Sequence, residues 1–110
     1  MSQHRRGADF ERTVNHLLED HGYECMRSAG SQSPVDVIAF KPDQVVMVQA
    51  KLDGRCTPAE RAALLRVAGL VAAVPVVAYR ILRQGVRFGT GTAKWMDWSP
   101  DTLDLQTPAS

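Results

Sequence analysis

The sequence predicts an α/β sandwich with elements in the order α-β-β-α-β-β. Three observations lead there. Apolar residues at helical spacing open the chain. Two apolar, β-branched runs then flank a proline-containing turn. A capped, alanine-rich helix separates that hairpin from a further valine-rich run. With 110 residues, the chain is expected to form a single domain around one core.

The first helix is predicted from about Gly7 to His21. Phe10, Val14, Leu17 and Leu18 fall on one face, and Gly22 is a helix stop. Tyr23 to Arg27 is a short extended run, and Ser28 to Pro34 a small-residue loop. The hairpin pairs Val35–Phe40 with Val45–Lys51 across a four-residue loop, Lys41-Pro42-Asp43-Gln44. Thr57-Pro58-Ala59-Glu60 opens the second helix. Thr57 is the N-cap, Pro58 stands at N1, and Glu60 completes a capping box. That helix is predicted to reach about Ala73. Pro75–Ile81 and Val86–Phe88 are the third and fourth strands, joined at Gly85, and the segment from Lys94 with Trp95 and Trp98 supplies a last short strand.

Composition narrows the function classes. The apolar share is 45% and the charged share 23%, an ordinary globular balance. Cys25 and Cys56 match no metal-ligand spacing and are expected to be reduced. Met1 to Arg6 precede no apolar run, so no signal peptide is expected. The stretch Ala62–Val74 is too short to span a bilayer. The net charge is +1, yet all 13 Lys and Arg precede residue 95, while Asp97, Asp101 and Asp104 follow it. The arginine-rich bias permits a nucleic-acid partner and does not demand one. Between Ala62 and Val74 only Arg66 is charged. Either the monomer covers both sides of that helix or a second subunit buries one, and a domain this small favours a homodimer.

The hairpin carries the chemistry. Alternation puts Gln49 and Lys51 on the same strand face as Val45 and Met47. The register that sets Phe40 opposite Val45 also sets Asp36 opposite Gln49. A carboxylate, an amide and an ammonium then meet at the open end of one hairpin. Glu11 borders the apolar stripe of the first helix, and a helix packed on that hairpin face aims it towards Asp36. Two carboxylates and an amide oxygen are hard ligands suited to Mg²⁺. Taken singly, Glu11 also reads as a helix-surface acid and Lys51 as a strand-end cation near Asp53. His16 and His21 read as surface residues, and Trp95 and Trp98 as core or interface anchors more than base-stacking platforms.

Taken together, Gly7-Ala8-Asp9-Phe10-Glu11-Arg12, His21-Gly22-Tyr23, Arg27-Ser28-Ala29-Gly30-Ser31, Val35-Asp36-Val37-Ile38-Ala39 and Val48-Gln49-Ala50-Lys51 resemble the archaeal-type Holliday junction resolvases. Those enzymes belong to the PD-(D/E)xK restriction-endonuclease-like nucleases. The resemblance covers residues 5 to about 90, leaving 94–110 as a C-terminal extension. It implies a mixed central sheet flanked by helices. It also implies a dimeric, Mg²⁺-dependent endonuclease, with Mn²⁺ able to substitute, that nicks a four-way DNA junction symmetrically and leaves 5′-phosphates. By the same resemblance, Glu11, Asp36 and Gln49 ligate metal and Lys51 is catalytic. Ser31 matches the family's serine loop, with Ser33 its rival. Arg12 and Arg27 hold DNA phosphates. The arm at Arg5 and Arg6, together with Arg55, contacts the DNA backbone. No membrane and no small-molecule cofactor are implied, and a cytoplasmic protein of a phage, bacterium or archaeon is expected. The chain departs from the pattern at Gln49, where most members carry glutamate; Mrr-like relatives also read Gln-x-Lys. The rival readings are a Mrr-like or repair endonuclease and an inactive DNA-binding module.

Overall fold

The computed structural model describes residues 3–28, 33–81, 85–90 and 97–98. Its elements in chain order are α1 (Gln3–Asp20), β1 (Glu24–Arg27), β2 (Val37–Lys41), β3 (Gln44–Ala50), α2 (Pro58–Gly69), β4 (Val74–Ile81), β5 (Gly85–Thr90) and β6 (Asp97–Trp98). The strands form one sheet in sequential order. All neighbours are antiparallel except β3 and β4, which run parallel. A parallel pair needs a long crossover, and α2 supplies it.

The two helices lie on opposite faces of the sheet. Phe10, Val14 and Leu18 of α1 are fully buried against Val37, Ala39, Val46, Val48, Val76 and Ala78. Leu64 and Ala68 of α2 pack on Val35, Met47 and Val77. Strand β3 therefore splits by alternation, with Val46 and Val48 towards α1 and Val45 and Met47 towards α2. Each large side chain so buried contributes about 2 kcal/mol of hydrophobic stabilisation.

The α-β-β-α-β-β order gains one strand, β1, and the expected last short strand is β6. The run after Gly22 is not merely extended: β1 pairs with β2 from Glu24↔Phe40 to Arg27↔Val37. It starts where it does because α1 ends in a tight hydrogen-bonded reversal. Tyr23 N–H donates to Leu18 O, Gly22 N–H donates to Glu19 O, and Gly22 adopts φ +91°. Tyr23 is then buried. The last strand, β6, pairs with β5 through Phe88↔Trp98. Helix α1 begins four residues before Gly7, because Gln3 to Arg6 continue the helical turn. The hairpin register is as expected, Phe40↔Val45, but Lys41 pairs with Gln44, so only Pro42 and Asp43 form the turn.

Helix α2 ends at Gly69, before the predicted Ala73. Ala73 N–H donates to Ala68 O, and Ala72 takes the left-handed conformation at φ +55°. That reversal delivers the chain into β4. The capping box is present as predicted: Thr57 Oγ1 accepts Glu60 N–H, and Glu60 Oε1 accepts Thr57 N–H. Of α2 only Leu64 and Ala68 are buried. Leu70 and Val71 just beyond it are 75% and 56% exposed, so the monomer does not cover both sides. Among the described residues, no helix is long and apolar enough to cross a membrane.

Candidate active site

The open end of the β2–β3 hairpin is where the fold departs from regular pairing. The ladder runs from Lys41↔Gln44 to Val37↔Val48 and stops. Asp36 does not continue it opposite Gln49, as the register predicted. Its N–H donates to Val48 O at 2.8 Å, so Asp36 and Val37 both oppose Val48, as in a bulge. The Asp36 side chain takes over the next bond of the strand: Ala50 N–H donates to Asp36 Oδ2 at 2.8 Å. The bulge fixes the carboxylate beside the end of β3. There Lys51 N–H donates to Ala78 O of the parallel neighbour β4.

A cleft of about 540 Å³ opens at this point. Glu11, Ser33, Asp36, Gln49, Lys51, Glu60 and Arg66 all line it. The four residues picked from the sequence as the core of the site thus share one cavity. The route by which Glu11 arrives differs from expectation. Helix α1 packs on the sheet face opposite the one that carries Gln49. The cleft wraps around the end of the sheet, and Glu11 enters it from the α1 side. Its Oε1 lies 3.8 Å from Arg27 Nη2.

Gln49 is 6% exposed, the one buried polar or charged residue among those described. Its Oε1 accepts a weak bond from Cys56 Sγ at 3.6 Å. Asp36 is half-buried, and burial pushes its carboxyl above the usual aspartate range. The Ala50 N–H and the Lys51 ammonium oppose that shift, and Glu60 reinforces it. Lys51 does not pair with Asp53; its Nζ donates to Glu60 Oε2. That bond, followed by the one from Thr57 N–H, holds Glu60 below the usual glutamate range.

Ser31 lies outside the described residues. Its rival Ser33 lines the cleft, and Ser33 Oγ accepts Val35 N–H at 3.0 Å. Arg5 and Arg6 belong to α1, but their side chains lie outside the description. Arg12 is turned away, with Nη1 on Asp9 at 2.7 Å at the exposed helix surface. Arg55 is exposed, with Asp53 at 4.0 Å. Glu60 and Arg66 were not among the residues picked from the sequence. The capping box was visible there, but the approach of α2 to Lys51 was not.

Among the described residues, no three His, Cys, Asp or Glu side chains gather closely enough to form a metal cluster. The cleft's oxygen-bearing acids and amide are instead Glu11, Asp36 and Glu60, the last paired with Lys51, and the buried Gln49. These are oxygen donors of the kind hard divalent cations take. The raised Asp36 carboxyl comes chiefly from burial; it is the chemistry of the oxygen donors that suits a divalent cation.

A family profile described as archaeal Holliday junction resolvase (Hjc) matches residues 2–90. A crossover junction endodeoxyribonuclease Hjc of Methanocaldococcus jannaschii is 38% identical over 53 residues, which make up 48% of this chain and 39% of that protein. The aligned stretch thus spans well under half of that relative's length. A solved structure of Archaeoglobus fulgidus Hjc, a Holliday junction resolvase, superposes with a TM-score of 0.70. That match covers 91% of this chain and 88% of the other, at 23% identity, and it establishes a shared fold.

Proposed function

The chain belongs to the archaeal Holliday junction resolvase family, and we propose from its cleft that it is an endonuclease cutting four-way DNA junctions by phosphodiester hydrolysis. The carrying observation is that Glu11, Asp36, Gln49 and Lys51 line one cavity at the end of the hairpin.

Glu11, Asp36 and Gln49 would hold Mg²⁺, or Mn²⁺ in its place. When bound, such a cation would supply Lewis-acid activation of water and charge neutralisation at the phosphate. The protein's own contribution is placement. The Ala50 N–H fixes one Asp36 oxygen. Lys51 presents an ammonium to the same cavity, where it stabilises negative charge gathering on the phosphorus oxygens. Arg27, held beside Glu11, is placed to contact a backbone phosphate entering the cleft. Arg5, Arg6, Arg12 and Arg55 would meet DNA farther out, where their contribution is salt-sensitive steering and not base reading. The exposed Leu70 and Val71 and the small residues of α2 support a homodimer, which would set two clefts on one junction. Such a protein works in the compartment that holds DNA.

Labelled four-way junction, linear duplex and flap, each with Mg²⁺ and with EDTA, test the reading. It expects paired symmetric nicks in the junction with Mg²⁺ alone. Duplex cleavage at a similar rate would point to a Mrr-like or repair nuclease. Binding without cleavage would point to an inert module with Gln49 marking a decayed site, against which the retained Glu11, Asp36 and Lys51 argue.

A further inference from the structure

We propose that Glu60 is a positioning residue of this site, the counter-ion that holds the Lys51 ammonium in the cleft in place of the carboxylate that Gln49 lacks. The inference rests on the endonuclease reading above.

The geometry gives Glu60 two jobs, one for each oxygen. Oε1 accepts Thr57 N–H at 2.9 Å and so belongs to the helix cap. Oε2 accepts Lys51 Nζ. The cap removes the freedom of a side chain that otherwise has three rotatable bonds, so the second oxygen arrives at Lys51 already oriented. The pair is not a loose surface contact, since both side chains are about two-thirds or more covered and both line the cleft with Asp36 and Gln49.

Charge accounting makes the same point. Lys51 follows Gln49 by two residues, one place past the end of β3, and both line the cleft. A glutamate at 49 would stand beside the ammonium as its partner. Gln49 offers only a neutral amide, whose Oε1 accepts a weak bond from the Cys56 thiol. Among the described residues, Glu60 is the carboxylate recorded in an ion pair with Lys51. It comes from a different element, α2, which the crossover brings over the same sheet face.

The structural role and the positioning role separate by substitution. Glu60→Gln retains a side chain that completes a capping box but removes the charge at Lys51. Thr57→Ala removes the cap's hydroxyl and leaves the Glu60 carboxylate. Glu60→Gln is expected to melt a few degrees below the native protein, to bind junction in EDTA equally well, and to nick it about tenfold more slowly at saturation. Thr57→Ala is expected to melt several degrees lower and to nick at the native rate. Gln49→Glu combined with Glu60→Gln is expected to recover most of the lost rate. A second readout is independent of cleavage. The chain has only three lysines, Lys41, Lys51 and Lys94, so their ¹³Cε signals in lysine-labelled protein are separable. Glu60→Gln is expected to move the Lys51 signal and leave the other two. A native nicking rate in Glu60→Gln, or an unmoved Lys51 signal, overturns the proposal. Native protein that cuts no DNA overturns the endonuclease reading instead, and the Lys51 signal then decides by itself whether Glu60 holds the lysine.

Discussion

Asp36 Oδ2 accepts the backbone N–H of Ala50, 14 residues away in sequence, at 2.8 Å. The bond replaces a ladder hydrogen bond with a side-chain one at the point where β2 and β3 part. It fixes the position of a carboxylate that burial disfavours in its charged form. The folded-state value lies above the ordinary 3.8. Ionisation therefore costs folding energy: the stability present below the ordinary aspartate range is lost as pH rises through the raised value.

Asp36→Asn should accordingly stabilise the metal-free protein at pH 7, since Asn can still accept the Ala50 N–H. The gain should stay below about 1 kcal/mol, because solvent screens this half-buried group. It should vanish below about pH 4, where the native carboxyl is itself neutral. Denaturant unfolding in EDTA at both pH values measures this. A variant less stable than the native protein at pH 7 would show that the carboxylate is stabilising as it stands.

Gln49→Glu should lower the Mg²⁺ concentration that half-saturates junction cleavage, by roughly tenfold for one added charge at the cation. In the metal-free protein the same change should cost stability, since position 49 is 6% exposed and Lys51 is already paired with Glu60, which leaves a second buried carboxylate incompletely compensated. A Mg²⁺ titration of cleavage, paired with thermal melting in EDTA, reads both effects. An unshifted Mg²⁺ requirement would remove Gln49 from the ligand set.

Ala72 holds φ +55° where α2 turns into β4. A left-handed alanine carries steric cost that glycine avoids. Ala72→Gly should raise stability by about 1 kcal/mol despite the greater freedom glycine gives the unfolded chain. Urea unfolding measures it, and a destabilised variant would contradict the strain.

Cys25 is pushed up to about 11, chiefly by burial, with Glu19 and Glu24 adding to it. At pH 8 the folded protein's thiol should therefore react roughly 100-fold more slowly with a disulfide reagent than free cysteine does. Reaction at the free-cysteine rate in folded protein would exclude that environment.

The sequence carried the local parts of this structure well. Val45 pairs with Phe40 because a proline turn and alternating apolar residues leave little choice of register. Thr57 and Glu60 form their capping box from adjacent residues alone. The parts that escaped depend on where whole elements dock. Nothing in the spacing of Phe10, Val14 and Leu18 tells which sheet face α1 will cover, and it covers the face away from Gln49. The bulge at Asp36 is a competition between a backbone acceptor and a side-chain one for the Ala50 N–H, which alternation does not foresee. Glu60 reaches Lys51 only because the crossover helix lies over that edge of the sheet. The early end of α2 is set by the turn that Ala72 must make into β4.

The central claim is that Asp36 belongs to a cation-dependent cutting site and not to a binding surface alone. Single-turnover cleavage of a four-way junction in Mg²⁺ tests it most directly, with native protein and Asp36→Asn compared at concentrations where both are fully bound. The prediction is equal junction binding in EDTA, symmetric paired nicks with the native protein, and a rate at least about 100-fold lower with Asp36→Asn. Nicking by Asp36→Asn at the native rate would contradict it.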